Sequence, residues 1–374
     1  MEAYAGQALH VHPGSKMEAM RREIILYIAV VFGIISCSKE PVEVVYTDLG
    51  ERRGVFISCE GNFMYGNASL SFYDKERKEV FNQVFFARNR APLGDVAQSL
   101  NSDGKNLFIV VNNSGKVMVV DLKTLEFKGV IPGLVSPRYI HFLRSDKAYI
   151  SDLYNPNITV FNPLTLEKTG IIRVSDGKQG SMKHPTEMFA ESGGRIFVTC
   201  WANDNQILVI DPVYDQVLDS ISVPMQPRRI VADMYGKLWV LTDGSYPGAP
   251  GGEEQSSLVR IDPQTLTIEQ IMRWNTGREF AGDLKLNPSK DTLYILAGDL
   301  YKMAVTSRRL PESPFIESTD YLFFSLGVDP GNGDFYLADA IDYQQNAMVY
   351  RFSRGGMPLD SFRVGINPGD FYFN

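Results

Sequence analysis

The chain predicts an all-β fold: a seven-bladed β-propeller of four-stranded antiparallel blades, closed by its own C-terminal strand. Three observations carry this expectation. One pattern recurs seven times: an apolar strand around a single aromatic, a polar loop, a second strand ending near an acid or amide, and a turn. Its clearest copies are RIFVTCWANDNQILVIDPVYDQVLDSISV (195–223) and KAYISDLYNPNITVFNPLTLEKTGIIRV (147–174). The aromatics that open the copies are Phe56, Phe108, Tyr149, Phe197, Trp239, Tyr294 and Tyr336. They fall roughly 40–55 residues apart, the period of a four-stranded blade. Finally, the first copy starts at its second strand (54–60), while the chain ends on an orphan strand (369–373). The orphan completes the first blade, which removes a free sheet edge and ties the two ends of the ring together.

Within a copy the strands are lettered a to d from the axis outwards. In the third copy, strand a is 139–143, b is 148–152, c is 158–162 and d is 168–174. Strands b and c are rich in β-branched and aromatic residues. The a–b turns carry Asp103-Gly104, Gly193-Gly194, Tyr235-Gly236 and Asn332-Gly333, which supply turn geometry. The aromatics that open each strand b are expected in the core between blades.

In a propeller the b–c and d–a loops share one face. The b–c loops here are 60–67, 112–115, 153–157, 201–206, 243–255, 298–300 and 340–346, and the fifth contains the longest insertion, GSYPGAPGG. Long loops in a compact fold are usually functional or disordered. The a–b and c–d turns on the opposite face are short, so the b–c face is where binding is expected.

The chain has 374 residues, 44% hydrophobic and 22% charged, an ordinary globular composition. A net charge of −7 without a basic stripe argues against a nucleic-acid partner. The expected organisation is upstream residues and a signal peptide (1–36), a tether (37–50) and the propeller (51–374). Arg21 and Arg22 precede a short apolar core (24–35) that ends in Ile34-Ile35-Ser36-Cys37, which resembles a bacterial lipobox. In such signals the cysteine is lipidated and becomes the first mature residue, making Cys37 the expected lipid anchor. A plain secretory signal or an N-terminal membrane anchor are the alternatives. Met17 and Met20 are plausible later starts. Cys59 and Cys200 then remain, in equivalent strands of the first and fourth copies, too far apart to bridge.

Histidine is scarce. Of four, His10 and His12 lie upstream of the targeting segment, leaving His141 and His184. That argues against a multi-histidine metal centre and a Ser-His-Asp triad. Acids on the b–c face are Glu60, Asp95, Asp152, Asp204, Asp243, Asp283, Asp299, Asp339 and Asp342, without a motif that selects a metal set. Most are expected to cap turns. No catalytic residue, metal ligand or catalytic cofactor is expected. The remaining loop inventory suits recognition of a large polar ligand by arginines, amides and aromatics. The candidate ligand-binding residues are Phe63, Tyr65, Asn112, Asn113, Arg138, Tyr154, Trp201, Asn203, Arg228, Asp243, Tyr246, Asp299 and Tyr343.

The repeat resembles the YncE-like seven-bladed propellers across nearly all of the chain after the targeting segment. GVFISCEGNFMYGNASLSFYD (54–74) is similar to the opening motif of gut-bacterial surface lipoproteins of this fold, some described as surface-layer-like. Among these are the BtuG-type proteins, which capture cobamides (vitamin B12 and related corrinoids) outside the cell. They hand the ligand to a TonB-dependent outer-membrane transporter. Lys39-Glu40 after Cys37 is weakly similar to the tag that sends such lipoproteins to the surface. The resemblance implies a lipid-anchored protein on the outer face of the outer membrane, with a corrinoid as ligand rather than cofactor and a transporter as partner. Two alternatives stay open: a surface-layer-like module that binds a glycan or protein, and a metal-dependent, lactonase-like hydrolase.

Overall fold

In the computed structural model, the described residues are 48–374 apart from 51, 176–183, 247, 250–251 and 275–281. The expected signal peptide, Cys37 and most of the tether lie outside them. No helix among the described residues is long and apolar enough to cross a membrane.

Seven antiparallel sheets form the body. The third blade runs Pro137–Arg144, Lys147–Asp152, Asn157–Phe161 and Lys168–Arg173, close to the expected strands. The innermost strands form a closed ring, each neighbouring the next, from Ala97–Ser102 of blade 2 round to Pro368–Phe373, which returns to blade 2. Pro368–Phe373 pairs antiparallel with Gly54–Cys59, matching Val55 to Phe373, Phe56 to Tyr372 and Ile57 to Phe371. The C-terminal strand therefore is strand a of blade 1, as the sequence predicts.

Burial explains why an aromatic opens every copy. All seven are buried. Each packs in a cluster with the blade that follows it. Phe56 meets Leu107 and Ile109 of blade 2, and Tyr149 meets Ile196 and Val198 of blade 4. Trp239 meets Leu293 and Ile295 of blade 6. Tyr336 of blade 7 closes the circle on Val55, Ile57 and Tyr73 of blade 1. A large ring gives much apolar contact per residue, and its polar tip needs a partner. Trp239 Nε1 accordingly donates to Asp233 Oδ2 at 2.9 Å, and the Tyr149 hydroxyl donates to Asp215.

Two departures from the sequence reading are local. Blade 6 shows three strands among the described residues: Asp283–Leu286, Thr292–Ala297 and Asp299–Ala304. The place of its fourth strand is taken by a single bridge between Leu300 and Ile316. Its b–c connection shrinks to Gly298, so Asp299 and Leu300 belong to a strand rather than a loop. A short helix, Val84–Asn89, follows blade 1 and buries Val84, Phe85 and Ala87. It lacks a side-chain N-cap, so the usual start signal is missing.

The seam where the ring closes is tightly filled. A Cβ on Gly327, in strand a of blade 7, would come 2.7 Å from Phe371 Cγ and 2.8 Å from its Cβ. Overpacking of this kind costs about 1–3 kcal/mol. Gly327→Ala is expected to lower the melting temperature, and Gly327→Ala with Phe371→Leu to recover part of the loss, both read by thermal denaturation.

Candidate functional site

The axis is lined by polar residues from successive innermost strands. Glu187 of blade 4 is fully buried and accepts two bonds from Arg138 of blade 3, at 2.6 Å from Nε and 2.9 Å from Nη2. It also accepts Arg229 Nη1 at 3.3 Å. Arg229 turns its Nε to Asp283 of blade 6 at 3.0 Å, and Asp283 accepts the Leu326 N–H of blade 7 at 3.2 Å. Asp370 of the closing strand accepts the Leu100 N–H of blade 2 at 3.0 Å. Lys285 Nζ lies 3.8 Å from Asp283 and 3.7 Å from Asp370. Every blade is thus tied into one girdle of charge. Burial acts to raise the Glu187 carboxyl, but the two arginines outweigh it and hold it below its ordinary value. Burial likewise opposes ionisation of Asp283, and Lys285 and Arg229 overcome it.

Above the girdle, on the b–c face, opens a cavity of about 490 Å³. Seven of the thirteen candidate residues line it: Phe63, Asn112, Asn113, Arg138, Tyr154, Trp201 and Arg228. Trp201 is the centrepiece. Guanidinium carbons of Arg138 and Arg228 lie 5.5 and 5.2 Å from its ring centre, within cation–π range. Its indole N–H donates to Asp243 Oδ2 at 2.8 Å, so Asp243 positions the ring from behind. Phe63 and Tyr154 are each 63% exposed, apolar rings held open at the rim. Asn112 is structural as well: its Nδ2 donates to Ser136 Oγ and to the Pro137 carbonyl, both at 2.9 Å.

The other candidates fall outside the lining. Tyr343 stacks edge-on against Phe324, a lining residue, and its carbonyl accepts Asn62 Nδ2 at 2.8 Å. Tyr65 and Asn203 are exposed loop residues. Tyr246 is exposed in the long fifth loop, which a bridge between Ser245 and Glu254 pins at its base. Asp299 accepts the Ser318 N–H at 2.9 Å and its hydroxyl at 2.8 Å, a role in holding the edge of blade 6. Glu60, Gln98 and Phe324 line the cavity and were not among the candidates. Gln98, like Glu187 and Asp370, is a polar residue in an innermost strand, a signal that aligning the strands a of all copies exposes.

Glu60 sits at the edge of the cup against Gly369, where a Cβ would be 2.7 Å from its Oε1. Burial pushes its carboxyl up to about 7, against the pull of Arg138, Arg228 and Arg229 and with added repulsion from Glu187. An acid raised in the folded state loses stability as pH climbs from its ordinary value, near 4.5, through about 7. Glu60→Gln is therefore expected to melt higher than the parent at pH 8 and to match it near pH 5, in paired thermal melts.

Among the described residues, one cluster could hold a metal by composition. His184, Cys200 and Asp204 bring ligand atoms within 4.8 Å of one another. His184 Nδ1 already bonds Asp204 Oδ2 at 2.6 Å, and burial pushes the Cys200 thiol well above its ordinary value. A neutral thiol beside a satisfied pair is a poor ligand set. Cys59 and Cys200 are both free and buried. At the far end of the axis, His141, Tyr139 and Lys285 line a second cavity of about 290 Å³.

Fold and site together define a closed seven-bladed propeller with a polar axis and an aromatic cup on one face. Residues 53–360 match the family DUF5074, a domain of unknown function, and the chain belongs to that family. Similar solved structures include a quinonprotein alcohol dehydrogenase-like protein from Bacteroides thetaiotaomicron, with 14% identity over 86% of this chain and 78% of that one, TM-score 0.66. A protein from Lactobacillus plantarum matches with 14% identity over 86% of this chain and 99% of that one, TM-score 0.63. A candidate 6-phosphogluconolactonase from Bacteroides uniformis matches with 16% identity over 88% of this chain and all 100% of that one, TM-score 0.62. At these identities the likeness is one of fold. No curated protein matches.

Proposed function

We propose that this protein is a non-catalytic capture protein, which binds a cobamide or similar large polar small molecule at the b–c cup and passes it to a TonB-dependent outer-membrane transporter. The observation that supports capture is the cup itself: open aromatic rims around an indole with two guanidiniums within cation–π range. A corrinoid exceeds a cavity of about 490 Å³, so it would lie across the mouth with one part inserted. The rims of Phe63 and Tyr154 would meet its apolar faces, and the arginines and amides its polar edge. The cobamide itself, the lipid anchor at Cys37, the outer-membrane surface and the transporter rest on the resemblance to BtuG-type proteins and on the lipobox-like segment.

The hydrolase alternative needs a hard cation on the axis, held by free carboxylates. Here Glu187 and Asp283 are engaged by arginines, and Lys285 stands between Asp283 and Asp370. An ammonium and two guanidiniums already supply the charge that such a cation would bring, which favours binding over metal hydrolysis.

Calorimetric titration of the purified protein with cyanocobalamin and with cobinamide tests the reading. One-to-one binding that Trp201→Ala weakens by about tenfold or more is the expected result, since hot spots of this kind carry about 2 kcal/mol or more. No binding at high micromolar ligand would remove the cobamide and leave the fold standing.

A further inference from the structure

We propose that the floor of the cup is an oxyanion site, in which the Arg228 guanidinium and the Gln98 amide take a phosphate, phosphodiester or carboxylate borne by the captured ligand. This rests on the capture reading and adds a chemical requirement to it. Three guanidiniums reach this part of the axis, and two are spent. Arg138 is bidentate on Glu187, and Arg229 bridges Glu187 and Asp283. Arg228 alone makes no ion pair among the described residues, and its Nε is buried without a hydrogen-bond partner. Its guanidinium carbon lies 5.2 Å from the Trp201 ring centre, a cation–π contact that consumes no donor. A buried donor left unmade is costly, and a planar fork of N–H groups matches an oxyanion.

Gln98 supplies the second arm. It is 5% exposed and lines the same cavity, and its Oε1 accepts from Arg138 Nη1. That commitment of the carbonyl leaves the amide N–H₂ as the group free to donate. The acids nearby do not fill the site. Glu187 is occupied by two arginines, and Asp243 accepts the indole N–H and attracts Arg228 without pairing with it. Glu60, with its carboxyl pushed up by burial, is only partly ionised near neutrality. A small oxyanion would therefore meet the unpaired Arg228 fork and the Gln98 amide, while an attached ring or macrocycle would rest on Trp201 and the rim aromatics.

The test uses the purified full chain and phenyl phosphate, with inorganic phosphate and phenol as controls, followed by cyanocobalamin and cobinamide. Phenyl phosphate is expected to bind and phenol not to. Arg228→Gln should weaken phenyl phosphate by about tenfold or more, the usual loss for a hydrogen bond to a charged group, with a smaller loss for Arg228→Lys and Gln98→Leu. A thermal melt checks that Arg228→Gln keeps the fold, since the change gives up only the cation–π contact with Trp201 and long-range attraction to nearby acids, not an ion pair. Phenyl phosphate that does not bind, or that binds Arg228→Gln as well as the parent, overturns the site. Cyanocobalamin bound equally by parent and Arg228→Gln, and no better than cobinamide, overturns the site while capture stands. Phenyl phosphate held through Arg228, with neither corrinoid bound, upholds the site while the cobamide reading falls.

Discussion

A chain ending at Pro368 is expected to melt at least about 10 °C below the full chain, or to fail to fold. The six deleted residues would be an ordinary tail in most domains, but here they are the innermost strand of blade 1. Their loss strips one edge of Gly54–Cys59 of its ladder and leaves its backbone groups open to water or to another chain. It also removes Phe371, 8% exposed, which packs against Gly327 and beside Tyr336, and takes Asp370 out of the axial girdle. Burying one large aromatic is worth about 1.5–3 kcal/mol, so the strand as a whole contributes several kcal/mol of a total that is typically about 5–15. Phe371→Ala separates packing from pairing: it keeps the ladder and should cost about 3–5 kcal/mol in a chemical denaturation series. Equal melting of truncated and full chains would mean that the ring is held shut by the blade 7–blade 1 cluster alone.

The repeat, the closing strand and the inter-blade aromatics were all legible in the sequence, because each leaves a periodic mark. One aromatic per copy at the head of strand b is a packing requirement that recurs with every blade, and Phe56 through Tyr336 all satisfy it. The cup was legible in part. Trp201, Arg138, Arg228 and Tyr154 could be placed from loop position alone, since the b–c and d–a connections converge on one face. Gln98 was not singled out, and Glu60 was placed on the b–c face only as one of several acids, because their significance lies in which strand of another blade faces them across the axis. That is a product of ring closure, with no trace in local spacing. Asp299 shows the opposite error: a loop inferred from the repeat length became a strand turning on Gly298 alone. The helix Val84–Asn89 escaped because its cap residue, Gln83, takes a left-handed backbone instead of offering a capping side chain.

Glu187→Gln is expected to cost about 3–5 kcal/mol, among the largest effects of any isosteric change in the molecule, because it leaves two buried guanidiniums facing an amide. Arg138 and Arg229 are 8% and 6% exposed, so water cannot readily replace the lost carboxylate. The pH dependence should move with it. A carboxyl held below its ordinary value contributes stability that is complete above the ordinary glutamate range and is lost as pH falls through the lowered value. The variant should therefore lose that part of its acid sensitivity while being less stable at neutral pH. Pairing Glu187→Gln with Arg138→Met removes one stranded charge and should recover part of the stability, a non-additivity that a double-mutant cycle reads directly. The same variant probes the cup. With Glu187 neutralised, Arg138 is released from its bidentate partner and stands beside Arg228 against the same indole. Stability should then fall while phenyl phosphate affinity holds or rises. Loss of both together would mean that the girdle only supports the cup. Opposite movement would mean that Glu187 holds back a second anion-binding guanidinium for the sake of the fold.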